Sequence, residues 1–264
     1  MGKVIFGNLQ SKLMRRNIPY RIILPTQYYS SKQNYPVLYL LHGLFGNCDN
    51  WLDLTGIVKY AKSFEAIIVT VEGGNGWYSD SKTDASDKFE SYIIEELIPE
   101  ISLKLRTENR KEKRAIAGLS MGGYGSFKFA IKRPDLFCFV GSMSGALIAP
   151  TLTVENQGGI WDELLPSINE VFGDKDSLTR QENDLFRLIS KCSTDKIKEL
   201  PFFYFDCGIE DTFLEANREF ADIFQKRNIQ FEYHEVSGGH DWDYWDKQIK
   251  VILSLAEFYL VGKQ

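Results

Sequence analysis

The stretch Arg114-Ala115-Ile116-Ala117-Gly118-Leu119-Ser120-Met121-Gly122 decides the fold. Its apolar run reads as a short buried strand, and Tyr124-Gly125-Ser126-Phe127-Lys128-Phe129-Ala130-Ile131 after it reads as a helix. A serine between glycines at such a junction is a nucleophile elbow. The strand turns sharply into the helix, the serine takes a strained backbone, and only glycine leaves room for close packing on either side. The helix N-terminus behind Ser120 favours negative charge, as a developing oxyanion requires. An acid and a histidine should then follow the serine in that chain order, with an oxyanion donor upstream.

The upstream part is Val37-Leu38-Tyr39-Leu40-Leu41-His42-Gly43-Leu44-Phe45-Gly46. Five apolar residues in a row predict a strand buried on both faces, as in a parallel sheet. The His-Gly turn after it can aim a backbone N–H into the site, and we assign that donor to Leu44, paired with the N–H of Met121. His42 is expected to belong to the architecture of this turn. Of the other two histidines, His234 lies in an alternating strand pattern. His240 lies beyond that strand in Ser237-Gly238-Gly239-His240-Asp241-Trp242, a glycine-flanked loop of the kind that carries catalytic groups, and is the expected base. For the acid, Pro201 to Asp211 is a hydrophobic strand ending in the carboxylates Asp206, Glu210 and Asp211. Asp206 still belongs to the strand and could bond local backbone. Asp211 sits a full turn beyond, within reach of His240, and is favoured.

The HGLFGN loop, GLSMGGYGSFKFA, the CGIEDTF segment and GGHDWDYW together resemble the esterase D-like putative esterase family. That family includes tributyrin-type esterases, S-formylglutathione hydrolases and the feruloyl and acetylxylan esterases of carbohydrate esterase family 1. The resemblance spans roughly residues 20 to 260. It implies an α/β-hydrolase fold, with a mostly parallel central sheet flanked by helices. It also implies Ser120, Asp211 and His240 as the triad, with Leu44 and Met121 as oxyanion donors, and it lifts Asp211 over Asp206. A cap-like insertion over the site is expected at roughly 146–199, where the strand signal lapses.

The 264 residues suit one α/β domain, and 44% hydrophobic with 25% charged residues is ordinary for a soluble globular protein. A net charge of -5 leaves no basic footprint for nucleic acid. No signal peptide or membrane-spanning run is read, and the scattered Cys48, Cys138, Cys192 and Cys207 show no metal spacing, so a reduced, cytoplasmic protein is expected. Along the chain, a strand pair at the sheet edge is predicted in the first two dozen residues, a strand at 66–71, and a helix over 90–105 broken or kinked at Pro99.

The expected chemistry is hydrolysis of short-chain carboxylic esters through an acyl-enzyme, with acetyl or feruloyl carbohydrate esters as candidate substrates and no metal or organic cofactor. An S-formylglutathione hydrolase-type thioesterase and an acyltransferase to a sugar hydroxyl are the alternatives. Trp51, Trp77, Trp161 and Trp242 are candidate rings for stacking on substrate, whereas Trp245 is expected to pack the last helix onto the sheet. An exposed edge strand could pair in a homo-oligomer.

Overall fold

A computed structural model describes residues 3–153 and 159–262. Among these residues the sheet has eight strands in the spatial order β1-β2-β4-β3-β5-β6-β7-β8. They are β1 (Val4–Gln10), β2 (Asn17–Ile23), β3 (Val37–Leu41), β4 (Ile67–Val71), β5 (Arg114–Leu119), β6 (Phe139–Met143), β7 (Phe202–Gly208) and β8 (Phe231–Val236). β2 runs antiparallel to β1 and β4, and every other pairing is parallel. The expected edge hairpin is thus present, and the continuous apolar runs of β3, β4 and β5 are buried throughout. Parallel strands are covered on both faces, which is why they carry no alternation.

The helices are α1 (Asn50–Asp53), α2 (Ile57–Tyr60), α3 (Phe89–Ser91), α4 (Ile98–Lys104), α5 (Met121–Lys132), α6 (Ile160–Phe172), α7 (Leu178–Asn183), α8 (Leu185–Lys191), α9 (Thr194–Glu199), α10 (Leu214–Lys226) and α11 (Trp242–Val261). The expected break at Pro99 takes a different form. A π-helical segment, Tyr92–Leu97, joins α3 to α4, and Pro99 falls in the first turn of α4. A wider turn just upstream absorbs the hydrogen bond that proline does not donate, so the helix continues.

The elbow helix α5 is the most enclosed helix of the fold, buried from Met121 to Ile131. It packs so closely that a Cβ on Gly118 would lie 2.5 Å from the carbonyl carbon of Gly122, and one on Gly122 would lie 2.6 Å from the Leu41 carbonyl oxygen. Lys128 is fully buried within it, and its Nζ donates to the Tyr78 carbonyl (2.5 Å), the Ser79 hydroxyl (2.6 Å) and Glu90 Oε2 (2.8 Å). Burial pulls this ammonium down to about 8, against the pull of Glu90. The three acceptors stand in for lost water, and they hold the segment in which Trp77 and Tyr78 both have φ +50°.

The 146–199 stretch consists of short helices, and its residues 154–158 lie outside the described ones. Arg180, 4% exposed, ties it together. Its guanidinium donates to the carbonyls of Gly173 (2.8 Å), Pro150 (3.0 Å) and Leu152 (2.7 Å) and to Asn169 Oδ1 (2.5 Å).

The close approach at the elbow generates a test. Gly122→Ala forces a methyl group onto the backbone of β3 and its following turn, and it should cost about 1–3 kcal/mol. A urea midpoint equal to that of the wild type would contradict this packing.

Candidate active site

Ser120 sits between the end of β5 and the start of α5 with φ +50° and ψ −117°. A non-glycine residue there is strained by on the order of 1–3 kcal/mol. Backbone hydrogen bonds on both sides offset the strain. The Ser120 N–H donates to the Met143 carbonyl (2.9 Å), and its own carbonyl accepts from the N–H groups of Tyr124 and Ala146 (both 3.1 Å). The hydroxyl therefore projects from the C-terminal edge of the sheet, beside loops from neighbouring strands.

Two of those loops complete a chain of hydrogen bonds. Ser120 Oγ lies 2.9 Å from His240 Nε2, and His240 Nδ1 lies 2.8 Å from Asp211 Oδ2. The other Asp211 oxygen accepts from the Phe213 N–H at 2.8 Å. Burial alone would raise the Asp211 carboxyl, but the His240 imidazole and the Phe213 N–H hold it below the ordinary carboxylate range. An ionised Asp211 accepts from Nδ1–H, which leaves Nε2 to accept from the serine hydroxyl. The imidazole is clamped between Phe213 and Trp245, whose ring centroids lie 5.2 and 4.9 Å away. Its side chain keeps 20% exposure, on the side of the cleft.

The turn after β3 lies alongside. A Cβ on Gly43 would lie 2.7 Å from the Leu119 side chain and 3.5 Å from Ser120 Cβ, so this turn passes directly over the serine. Gly46 N–H closes the turn onto the Gly43 carbonyl (3.2 Å), Phe45 sits at φ +62°, and its N–H donates to Asn75 Oδ1 (2.9 Å). His42 is buried behind it. Its Nδ1–H donates to the Gly43 carbonyl (2.7 Å) and its Nε2 accepts from the Gly73 N–H (2.9 Å), the architectural position expected of it. Glu72 Oε1 stands 3.5 Å from that same nitrogen, but the Gly73 N–H already occupies its lone pair. Met121 is the first residue of α5, where a backbone N–H has no partner within the helix.

Ser120, His240, Gly43 and Leu44 border a cleft of about 540 Å³. Its apolar wall includes Phe45, Leu54, Leu119, Leu164, Trp242 and Trp245, and Asn50, Glu163 and Asp241 add polar groups. Of the four tryptophans expected to meet substrate, only Trp242 borders this cleft. Trp51 and Trp77 are corrections, because both are fully buried. Trp51 donates its indole N–H to the Leu41 carbonyl (3.1 Å) and meets Trp242 edge-on. Trp77 donates to Ser167 Oγ (2.9 Å) and packs on Tyr124 and Phe172, so it fastens α6 to the elbow helix. Trp161 packs edge-on against Phe213, behind His240, and is not part of the cleft wall. Trp245, expected only to pack its helix, does so and also touches His240. Phe213 and Glu163 went unread, since nothing in an isolated phenylalanine or surface glutamate signals a site. Asp206, for which a bond to local backbone was one possibility, accepts instead from the Tyr244 hydroxyl. His234 lies half-exposed on β8, away from this constellation.

A sharp strand–serine–helix turn, with a histidine and an aspartate bonded in series at the C-terminal edge of a mostly parallel sheet, defines an α/β hydrolase of the serine type. The Putative esterase family model matches residues 11–255, and the chain belongs to that family of carboxylic ester hydrolases. It is 31% identical over 255 residues to an acetyl esterase of Caldicellulosiruptor saccharolyticus, covering 92% of this chain and 93% of that one. Among solved structures, a ferulic acid esterase is 26% identical with a TM-score of 0.82, covering 98% of each chain. The substrate-bound fluorophosphonate-binding serine hydrolase F of Staphylococcus aureus superposes with a TM-score of 0.85 at 24% identity, covering 97% of this chain and 98% of that one, and shares the fold.

The loop that carries His240 runs straight into α11, whose N-cap is Asp241. Its Oδ1 accepts from the Tyr244 N–H at 2.9 Å. Asp241→Ala should therefore lower the unfolding free energy by about 1 kcal/mol in urea titration, and an unchanged midpoint would show that the cap carries no stability.

Proposed function

We propose that the protein hydrolyses short-chain acyl esters of neutral, hydroxyl-rich alcohols, acetylated carbohydrate above all, through an acyl-enzyme on Ser120. The observation that carries this reading is the unbroken Ser120–His240–Asp211 chain at the floor of a cleft. Ser120 attacks the ester carbonyl as His240 Nε2 takes its proton, and Asp211 holds the tautomer and steadies the imidazolium. The N–H groups of Leu44 and Met121 receive the developing oxyanion, at the positive end of α5. His240 returns the proton to the departing alcohol. Water then enters, loses its proton to His240 and releases the acid from the serine.

The cleft supports the alcohol assignment. Among its described lining residues the charged groups are the carboxylates Glu163 and Asp241, with no lysine or arginine. Such a wall disfavours the carboxylate-bearing thiol of a glutathione thioester and suits a neutral polyol, with Trp242 as a stacking face and Asn50 as a hydrogen-bonding group. The acetyl esterase relative supports a small acyl group. In this reading the 146–199 stretch is a fixed cap, since α6 reaches the cleft through Glu163 and Leu164 and is pinned below by Trp77.

Ser120→Ala should lower kcat on the order of 10⁴-fold or more, and Asp211→Asn about 10³ to 10⁴-fold, with the fold retained. p-Nitrophenyl acetate and an acetylated xylo-oligosaccharide should be turned over ahead of the octanoate ester and of S-formylglutathione. Preferential turnover of S-formylglutathione would contradict the alcohol assignment. Wild-type turnover by Ser120→Ala would contradict the nucleophile. A sugar acceptor that diverts the acyl group from water would make the enzyme a transferase.

A further inference from the structure

Asp206 is a carboxyl group that the chemistry above leaves unused. It lies at the C-terminal end of β7, five residues before Asp211, and is fully buried. Its Oδ1 accepts a 2.6 Å hydrogen bond from the Tyr244 hydroxyl, while Oδ2 has no hydrogen-bond partner among the described residues. Tyr204, two residues earlier on the same strand face, contributes a weaker interaction through its hydroxyl. The other titratable groups around it are the Cys207 thiol on β7 and, on β8, His234 in register with it and Glu232 two residues before. His234 is half-exposed to solvent. On the other side, β6 presents Met143. Among the described residues Asp206 forms no ion pair, so nothing cationic offsets a charge there. Burial pushes its carboxyl up to about 7, against the pull of the two tyrosine hydroxyls.

Tyr244 links this carboxyl to His240. Its ring packs against Gly238, which has φ +141°, so that a Cβ there would lie 2.5 Å from the ring. Its N–H is held by Asp241. Gly238 is held further by its N–H to Glu210 Oε2 (2.6 Å) and by its carbonyl, which accepts from the Glu210 N–H (3.2 Å). The turn bearing His240 is therefore supported on both sides by one tyrosine, whose hydroxyl ends on Asp206.

We propose that Asp206 is a positioning residue for His240: as the acceptor of the Tyr244 hydroxyl it fixes that ring against Gly238 and so holds the Gly238–Asp241 turn in the geometry that hydrolysis needs. The proposal rests on the role given to His240 above. The linkage has a definite sign. A carboxyl whose folded pKa is raised contributes its full stability below the ordinary value of 3.8 and loses it as the pH climbs to about 7, after which the loss is constant.

Asp206→Asn keeps an acceptor for Tyr244 and cannot ionise. Melting temperatures of this variant and the wild type should draw apart between about pH 4 and pH 7, with the variant the more stable above. Asp206→Leu, which takes the acceptor away from Tyr244, should lower kcat on the order of tenfold at unchanged KM, whereas Asp206→Asn should hold the wild-type kcat. Tyr244→Phe should lower kcat several-fold at neutral pH with KM unchanged. Wild-type kcat in Tyr244→Phe and Asp206→Leu, or an equal fall in Asp206→Asn, would overturn the proposal. Melting is read without substrate, so a lowered melting temperature in Tyr244→Phe with unchanged kcat would refute the positioning role and leave the hydrolase reading intact. Full activity in His240→Ala would refute that reading itself.

Discussion

The site depends on one close approach: the elbow helix α5 meets β5 and the turn after β3 with no room for a side chain at Gly118 or Gly122. That contact fixes where the chain must reverse, and it leaves Ser120 in the left-handed region at φ +50°. Hydrogen bonds to Met143, Tyr124 and Ala146 hold the serine there. A strained residue persists only when its surroundings over-determine it. Here the surroundings are the three central strands of the sheet, so the strain is carried by the most buried part of the fold.

The polar interior serves the same end. Lys128, placed inside α5, reaches across to the 77–79 segment and to Glu90. Tyr78 in that segment donates its hydroxyl to the His42 carbonyl (3.0 Å). His42 in turn spans Gly43 and Gly73. A continuous set of bonds thus runs from the elbow helix through a buried lysine to the turn over Ser120. On the opposite side, Asp206 and Tyr244 brace the turn that bears His240. Each half of the Ser–His pair rests on its own buried polar strut, and none of Lys128, Tyr78, His42, Asp206 and Tyr244 lines the cleft. Buried polar groups of this kind rigidify a site only when nearly every member is satisfied, and the unpartnered oxygen of Asp206 marks the place where that condition is tightest.

The elements that organise the site were legible because each leaves a local trace in the chain. Continuous apolar runs gave away β3, β4 and β5, and glycines at the ends of strands gave away the turns that carry Leu44, Ser120 and His240. Asp211 could be separated from Asp206 only in part by spacing, because both lie near one strand end and just the three-dimensional course of the loop brings the first of them to His240 Nδ1. Trp51 and Trp77 were misread for a physical reason. A tryptophan beside a functional loop suits a ligand platform and an interior wedge equally well, and the indole N–H finds a buried acceptor in each case here, Leu41 and Ser167. Lys128 was invisible, since a lysine in an apolar helix reads as a solvated tip until the acceptors around it are known. Pro99 predicted a break, but a wide turn upstream spread the distortion over Tyr92–Leu97. Non-local compensation of this sort leaves no mark on the residues that need it.

The central claim is that hydrolysis passes through an ester on Ser120. Rapid mixing with p-nitrophenyl acetate, followed by acid quench and peptide mass analysis, tests it most directly. The account predicts a burst of p-nitrophenol approaching one equivalent per chain, with the acetyl group on the peptide that contains Ser120. Linear release with no burst and no acylated peptide, or acetyl found on another residue during turnover, would contradict it.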